Sequence, residues 1–150
     1  MRSVIVGIIS LAFLGGASAQ QAEVKYISLG SVEWRTPDPL NEIRVATIAG
    51  NPRDSGFYSI YVSFPAGAKV PPHVHRDQRV VTVVSGTYYS GLGNEFDERQ
   101  LKPMTPGMSV IIPANTPHYA IAKDGPILVI ESGTAPTNTK LVSELKAEAK

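Results

Sequence analysis

The sequence contains no cysteine, so no disulfide can staple the fold and no thiolate can hold a metal. Any metal site must draw on nitrogen and oxygen donors, which excludes a Cys-type structural zinc site. An excess of either charge is also missing: 14 Lys and Arg stand against 13 Asp and Glu. That balance argues against nucleic acid and against an anionic membrane surface as partners. Histidine is scarce, with three in 150 residues. No repeat, low-complexity tract or linker divides the chain, and its length suits one domain rather than two.

The first residues are not expected to belong to the fold. Met1-Arg2 supplies a positive charge, Val4 to Leu14 is apolar, and Ala17-Ser18-Ala19 has the A-x-A pattern of a cleavage site. This is the layout of a secretory signal peptide, and the apolar run is too short for a stable membrane anchor. Residues 1–19 therefore read as the signal and residues 20–150 as the mature domain, periplasmic or secreted, with no membrane partner after cleavage. Losing Arg2 leaves 13 bases against 13 acids. Without disulfides, an exported domain of this size must rely on its core or on a metal.

The remainder reads as all-β. Thirteen glycines and twelve prolines punctuate short runs rich in branched and aromatic residues. Candidate strands are Tyr26–Leu29, Ile43–Ala49, Phe57–Phe64, Val80–Ser85, Thr87–Ser90, Ser109–Ile112, His118–Ala122 and Ile127–Glu131. Turn clusters such as Pro65-Ala66-Gly67, Ser85-Gly86 and Thr105-Pro106-Gly107 separate them. Many short strands at close spacing suggest a sandwich, barrel or jelly roll. Helical periodicity occurs only near the end, where Leu141, Val142 and Leu145 suit a short C-terminal helix or a charged tail. Trp34-Arg35-Thr36-Pro37-Asp38-Pro39 reads as a strap packing Trp34 over one end of the fold, or as an edge of a ligand pocket.

All three histidines fall in a telling arrangement: His73 and His75 two apart, and His118 on a later strand. Side chains at i and i+2 of a strand share a face, so His73 and His75 can aim two imidazoles at one point. A third imidazole from a neighbouring strand completes a set of nitrogen ligands suited to Fe, Zn, Cu, Ni or Mn. The plain alternative is three histidines that merely hydrogen-bond inside the fold.

The residues around them follow a pattern. Gly67 is followed by five residues and His73-Val74-His75; Gly86 comes later; Gly107 is followed by five residues and Pro113, then His118. Gly67 to Ala122 thus resembles the two motifs of the cupin superfamily. The resemblance implies a double-stranded β-helix, or jelly-roll barrel, with one divalent metal held inside by His73, His75 and His118. Three positions depart from the pattern. Arg79 stands where the family places a glutamate ligand, Asn115 replaces a glycine, and Ala122 replaces an asparagine. Asn115 suits the left-handed backbone conformation better than most residues. Arg79 cannot ligate a metal, because guanidinium only donates.

In a regular strand His73, His75, Asp77 and Arg79 point the same way. A divalent ion about 6 Å from Arg79 would be repelled by roughly 5 kcal/mol at an effective dielectric of about 20. Four outlets exist: Asp77 pairs with Arg79, an anionic ligand bridges Arg79 and metal, Arg79 swings away, or the metal binds poorly. Arg79, Gln78 and Tyr119 are the candidate pocket residues, Gln78 as an oxygen donor if the strand bulges. Tyr58, Tyr61, Tyr88, Tyr89 and Tyr119 read mostly as core or rim packing, and any one could supply an acid or an anion-binding hydroxyl near the metal.

The expected ligand is a small anionic, oxygenated molecule. If the protein is an enzyme, a metal-dependent dioxygenase competes with a redox-neutral lyase or isomerase. The alternatives are a non-enzymatic periplasmic small-molecule or metal-binding module, and a degenerate cupin without metal. A homodimer is compatible with the family but nothing specific in the sequence argues for it.

Overall fold

The computed structural model describes residues 23–36 and 42–149. The expected leader, and the proline-stiffened residues 37–41, lie outside the described residues. Among these, ten strands form two antiparallel sheets of five. One sheet runs in the spatial order β1 (Arg44–Ala49), β2 (Gly56–Phe64), β9 (Ile127–Ala135), β4 (Arg79–Ser85), β7 (Ser109–Ile112). The other runs β10 (Thr139–Leu141), β3 (Lys69–His75), β8 (His118–Ile121), β5 (Tyr88–Leu92), β6 (Lys102–Met104). This is a jelly roll, closed at its C-terminus by one short helix, α1 (Val142–Glu148).

Alternation along each strand builds the core between the sheets. Ile60, Val62 and Phe64 of β2, Val129 of β9 and Val81 and Val83 of β4 line the inner face of the first sheet, and Val70, Tyr88, Met104 and Ala120 from the second sheet join them in one buried cluster. Burying each such side chain contributes about 1.5–3 kcal/mol. The turn before β5 depends on Gly86: its φ is +77°, and a Cβ there would stand 2.4 Å from the main-chain oxygen of Pro126. Only glycine fits. Asn115 takes φ 59°, and its main-chain N–H donates to the His75 oxygen at 2.7 Å. The position that departs from the family's glycine thus keeps the left-handed turn and ties the loop before β8 to β3.

Two sequence expectations are corrected. Tyr26–Leu29 is not a strand: Tyr26 is 95% exposed, and among the described residues none pairs with it in a ladder. Trp34 does not cap an end of the fold. It packs 6.3 Å from Tyr61 on the outer side of the first sheet, with the Arg44 guanidinium 5.4 Å from its ring. Three strands, β3, β6 and β10, lie outside the candidate runs, although the histidine argument already takes His73 to His75 as extended. Two of them carry proline, which cannot donate to a ladder, and β10 has only three residues.

Candidate metal centre

The prolines of β3 decide where its histidines point. Val70 pairs with Ala120 and His73 with His118, so three steps on β3 match two on β8. Pro71-Pro72 therefore sits in a β-bulge, where missing N–H groups cost nothing. One extra residue exchanges the two faces of the strand. Val70 faces the interior before the bulge; His73 and His75 face it after. Val74, on the other face, lies by Val142 and Leu145 of α1. A regular strand carrying Val70 inward would have turned both histidines away.

His73 stands directly opposite His118 in the ladder. The three imidazoles meet inside the fold, all 6% exposed or less, with one ring nitrogen from each lying within 4.8 Å of the others. Every Nδ1 is engaged by a main-chain carbonyl: His73 with Pro71 at 2.8 Å, His75 with Asn138 at 2.9 Å, His118 with Thr116 at 2.8 Å. A carbonyl only accepts, so each Nδ1 carries the hydrogen and each Nε2 keeps its lone pair. Burial lowers the pKa of all three. His73, also repelled by His118 and His75, falls to about 3, and His75, repelled by Arg79, to about 3 as well. Neutral imidazoles fixed by their second nitrogen are what a metal requires.

The donor set therefore fits a divalent ion. Nitrogens about 2.0–2.1 Å from one tetrahedral ion sit roughly 3.3 Å apart, so the widest pair, within 4.8 Å here, has to close by up to about 1.5 Å.

Arg79 faces the same cavity, and its charge is cancelled. Nη2 donates to Asp77 Oδ1 at 2.9 Å and to Thr137 Oγ1 at 2.7 Å; Nη1 donates to Glu131 Oε2 at 2.7 Å. The Thr137 hydroxyl donates to the same Asp77 oxygen, and Tyr58 donates to Asp77 Oδ2 at 2.7 Å. Burial works against the Asp77 carboxylate, but Thr137, Arg79 and Tyr58 outweigh it and hold its pKa below the ordinary value. Burial likewise opposes the Arg79 charge, and Glu131, Tyr58 and Asp77 raise its pKa instead. Two acids against one base leave the cluster with one net negative charge. The foreseen Asp77 pairing occurs, and Glu131 adds to it. Glu131 follows Ile127 and Val129 at alternate positions, so a lone acid on an inward face was its signal.

The other two candidate pocket residues lie elsewhere, which corrects both assignments. Gln78 is exposed, because it occupies the outward position between Asp77 and Arg79. Tyr119 alternates with His118 and so points to the opposite side of β8. There its ring packs 4.8 Å from Phe96, and its hydroxyl donates to the Asp97 main-chain oxygen at 3.1 Å.

The cavity in front of the histidines has a volume of about 340 Å³, at the lower end for small-molecule sites. Its wall includes Tyr88, Glu131 and Asn138, and two exposed arginines, Arg35 and Arg53, also border it. Glu131, Asn138 and Arg53 were not singled out from sequence as part of the pocket, whereas Arg35 belongs to the segment read as a strap or a pocket edge and Tyr88 was one of five tyrosines named together.

Residues 60–132 match the family model described as Cupin domain. This chain belongs to the cupin superfamily. The histidine centre lies between the two sheets of that cupin fold. Solved cupin-like structures resemble it over most of its length. The polyketide cyclase RemF from Streptomyces resistomycificus is 17% identical, with a TM-score of 0.68 over 80% of this chain and 86% of that one. KdgF from a Halomonas species is 24% identical, with a TM-score of 0.59 over 75% and 94%. A cupin-superfamily sugar phosphate isomerase from Silicibacter pomeroyi is 22% identical, with a TM-score of 0.59 over 74% and 76%. At these identities the likeness speaks for the fold. No curated protein sequence matches this cupin.

Proposed function

We propose that this cupin holds one divalent metal ion through Nε2 of His73, His75 and His118, and binds or acts on a small oxygenated anion in the cavity they face. The observation that carries this reading is the fate of the three Nδ1 atoms. Each is tied to a main-chain carbonyl, so three buried lone pairs are left to converge. A bound ion supplies a Lewis acid that polarises a ligand oxygen.

The chain's own residues favour an anion. The Asp77–Arg79–Glu131 cluster carries one negative charge, so a divalent ion leaves the cavity with one positive charge that a monoanion neutralises. Arg35 and Arg53 at the border add to the attraction. Arg79 commits three of its five N–H groups to protein oxygens, so its charge serves the Asp77 and Glu131 carboxylates first. Among similar folds, the named cyclase and isomerase act on small molecules, which suits a cavity of this size.

Elemental analysis of the purified protein tests the reading: about one equivalent of iron, zinc, copper, nickel or manganese is expected, falling sharply in His118→Ala. Metal-free protein that also fails to take up any of these ions would end it. We further propose that the protein works outside the cytoplasm, on the strength of its N-terminal pattern. Mass spectrometry of the native protein should show a chain beginning at Gln20; an intact Met1 would contradict this.

A further inference from the structure

The tyrosines of this fold differ in one respect. Tyr58 donates to Asp77, Tyr119 to the Asp97 main-chain oxygen, and Tyr89 to Asp124. Tyr88 is 3% exposed, yet among the described residues its hydroxyl has no hydrogen-bond partner. A buried tyrosine hydroxyl ordinarily finds one, because leaving it bare costs free energy.

The ring is firmly placed. Tyr88 opens β5, pairs with Met104 of β6, and meets the Phe64 ring edge-on at 5.8 Å. Phenylalanine would fill the same apolar contacts. The hydroxyl is not sealed in the core, either. Among the described residues, the one enclosed side-chain polar atom without a partner is Arg79 Nε. Tyr88 lines the histidine cavity from the sheet that carries the histidines, and Glu131 lines it from the other sheet, so the Tyr88 hydroxyl opens there.

We infer that Tyr88 Oη is the hydrogen-bond donor that recognises an acceptor oxygen, of a carboxylate or a carbonyl, on the small molecule bound before His73, His75 and His118. This rests on the cavity being the ligand site proposed above. Burial pushes the phenol pKa up, and Glu131 adds to the effect against the opposing pull of Arg79, so the group remains a donor. The assignment gives the ligand a polarity. One oxygen faces the histidines and an acceptor oxygen faces Tyr88, while cationic or purely hydrocarbon molecules leave the hydroxyl unpaired in a closed space.

The test uses the protein loaded with cobalt(II), titrated with acetate and followed by the visible spectrum of the ion. Tyr88→Phe should keep its cobalt content and melting temperature, while acetate affinity falls about tenfold. Tyr119→Phe, whose hydroxyl lies on the other side of β8, should leave acetate affinity unchanged. Equal acetate affinity in Tyr88→Phe and the unmodified protein, both loaded, overturns the inference and leaves the metal reading standing. Failure to load cobalt counts against the metal reading instead. Acetate binding to the metal-free protein, followed by carbon-13 shifts of labelled tyrosine rings, then decides Tyr88. Weaker binding in Tyr88→Phe supports the assignment; equal binding or none overturns it.

Discussion

Arg79 donates through Nη1 to Glu131 Oε2 at 2.7 Å, joining β4 to β9 inside the cavity. Arg79 pairs in register with Gly133 and Val81 with Glu131, so the two charged residues are diagonal neighbours on one face. Diagonal placement suits long side chains. The position where the family carries an acid here carries a base, and acids flank it in the bend just before its strand and on the neighbouring β9. Removing the base should therefore be worse than its absence from the metal's ligands suggests. Arg79→Ala leaves the buried Asp77 and the half-buried Glu131 carboxylates unbalanced, and a loss of about 3 kcal/mol in urea unfolding is expected. Arg79→Glu, though it restores the family's residue, adds a third acid and should unfold the protein further rather than tighten metal binding. A stable, metal-tight Arg79→Glu variant would show that the cluster does not govern this wall.

The fold and the histidine trio were legible in the sequence because both rest on local periodicity. Alternation marks strands, and two histidines at i and i+2 share a face wherever the strand runs. Which face they share was not legible, since the bulge at Pro71-Pro72 shows only against the register of β8. Glu131 was read as the end of a strand, and its partner Arg79 is 52 residues away. Such a pairing is a property of the assembled sheet. Tyr119 and Tyr88 were indistinguishable for the same reason: each is an aromatic in a short strand, and only the packing of Phe96 outside and Phe64 inside separates them. β10, three residues long, forms because β3 offers it an edge.

Acid should weaken the metal-free fold from the near-neutral side. His73 and His75 titrate from an ordinary 6.5 when unfolded but only near about 3 when folded. Between those values the unfolded chain binds more protons, so stability falls as pH drops. Each histidine contributes roughly 1.4 kcal/mol per pH unit in that window. Urea midpoints measured from pH 7.5 to 4.5 after chelation should decline below about pH 6.5; a flat profile would mean the imidazoles are solvated.

The segment after β9 should tune the metal without touching it. Thr137 accepts from Arg79 Nη2 at 2.7 Å, and its main-chain N–H donates to the Pro52 oxygen at 2.9 Å. The next residue, Asn138, offers the carbonyl that holds His75 Nδ1. Thr137→Val removes the side-chain anchor but keeps the shape, which loosens the orientation of one ligand. Metal affinity, read by competition with a chelator, is expected to drop about 10–100-fold. A matching loss in a variant far from the site, such as one at Lys123, would point to general destabilisation instead.

Gly133 should tolerate no side chain. A Cβ there would stand 2.4 Å from Asp77 Oδ2 and 2.9 Å from the Tyr58 hydroxyl, which share a hydrogen bond. Both are held by buried partners, so neither moves freely. Gly133→Ala is expected to cost about 1–3 kcal/mol in thermal or urea unfolding. In the double variant with Tyr58→Phe, where one clashing atom is gone, the two losses should sum to more than the combined change.

Deleting Pro72 asks most directly what the bulge does. Without the extra residue His73 follows Val70 by two positions, and two also separate His118 from Ala120 on β8, so β3 can run as a regular ladder with Val70, His73 and His75 all still facing inward. Both ends of the strand stay anchored. Ala68, buried beside Val70, and the Gly67 N–H bond to the Ala122 oxygen at 2.8 Å hold its start, while the Asn115 N–H bond to the His75 oxygen and the pairing with β10 hold its histidine end. The contact at risk is the His73 Nδ1 bond to the Pro71 oxygen, which spans the deleted residue. The deletion variant is therefore expected to retain β-rich circular dichroism and to lose only about tenfold in metal affinity, the low end for a change behind a metal's ligands. Complete loss of metal with the fold intact would show instead that the bulge itself aims the imidazoles.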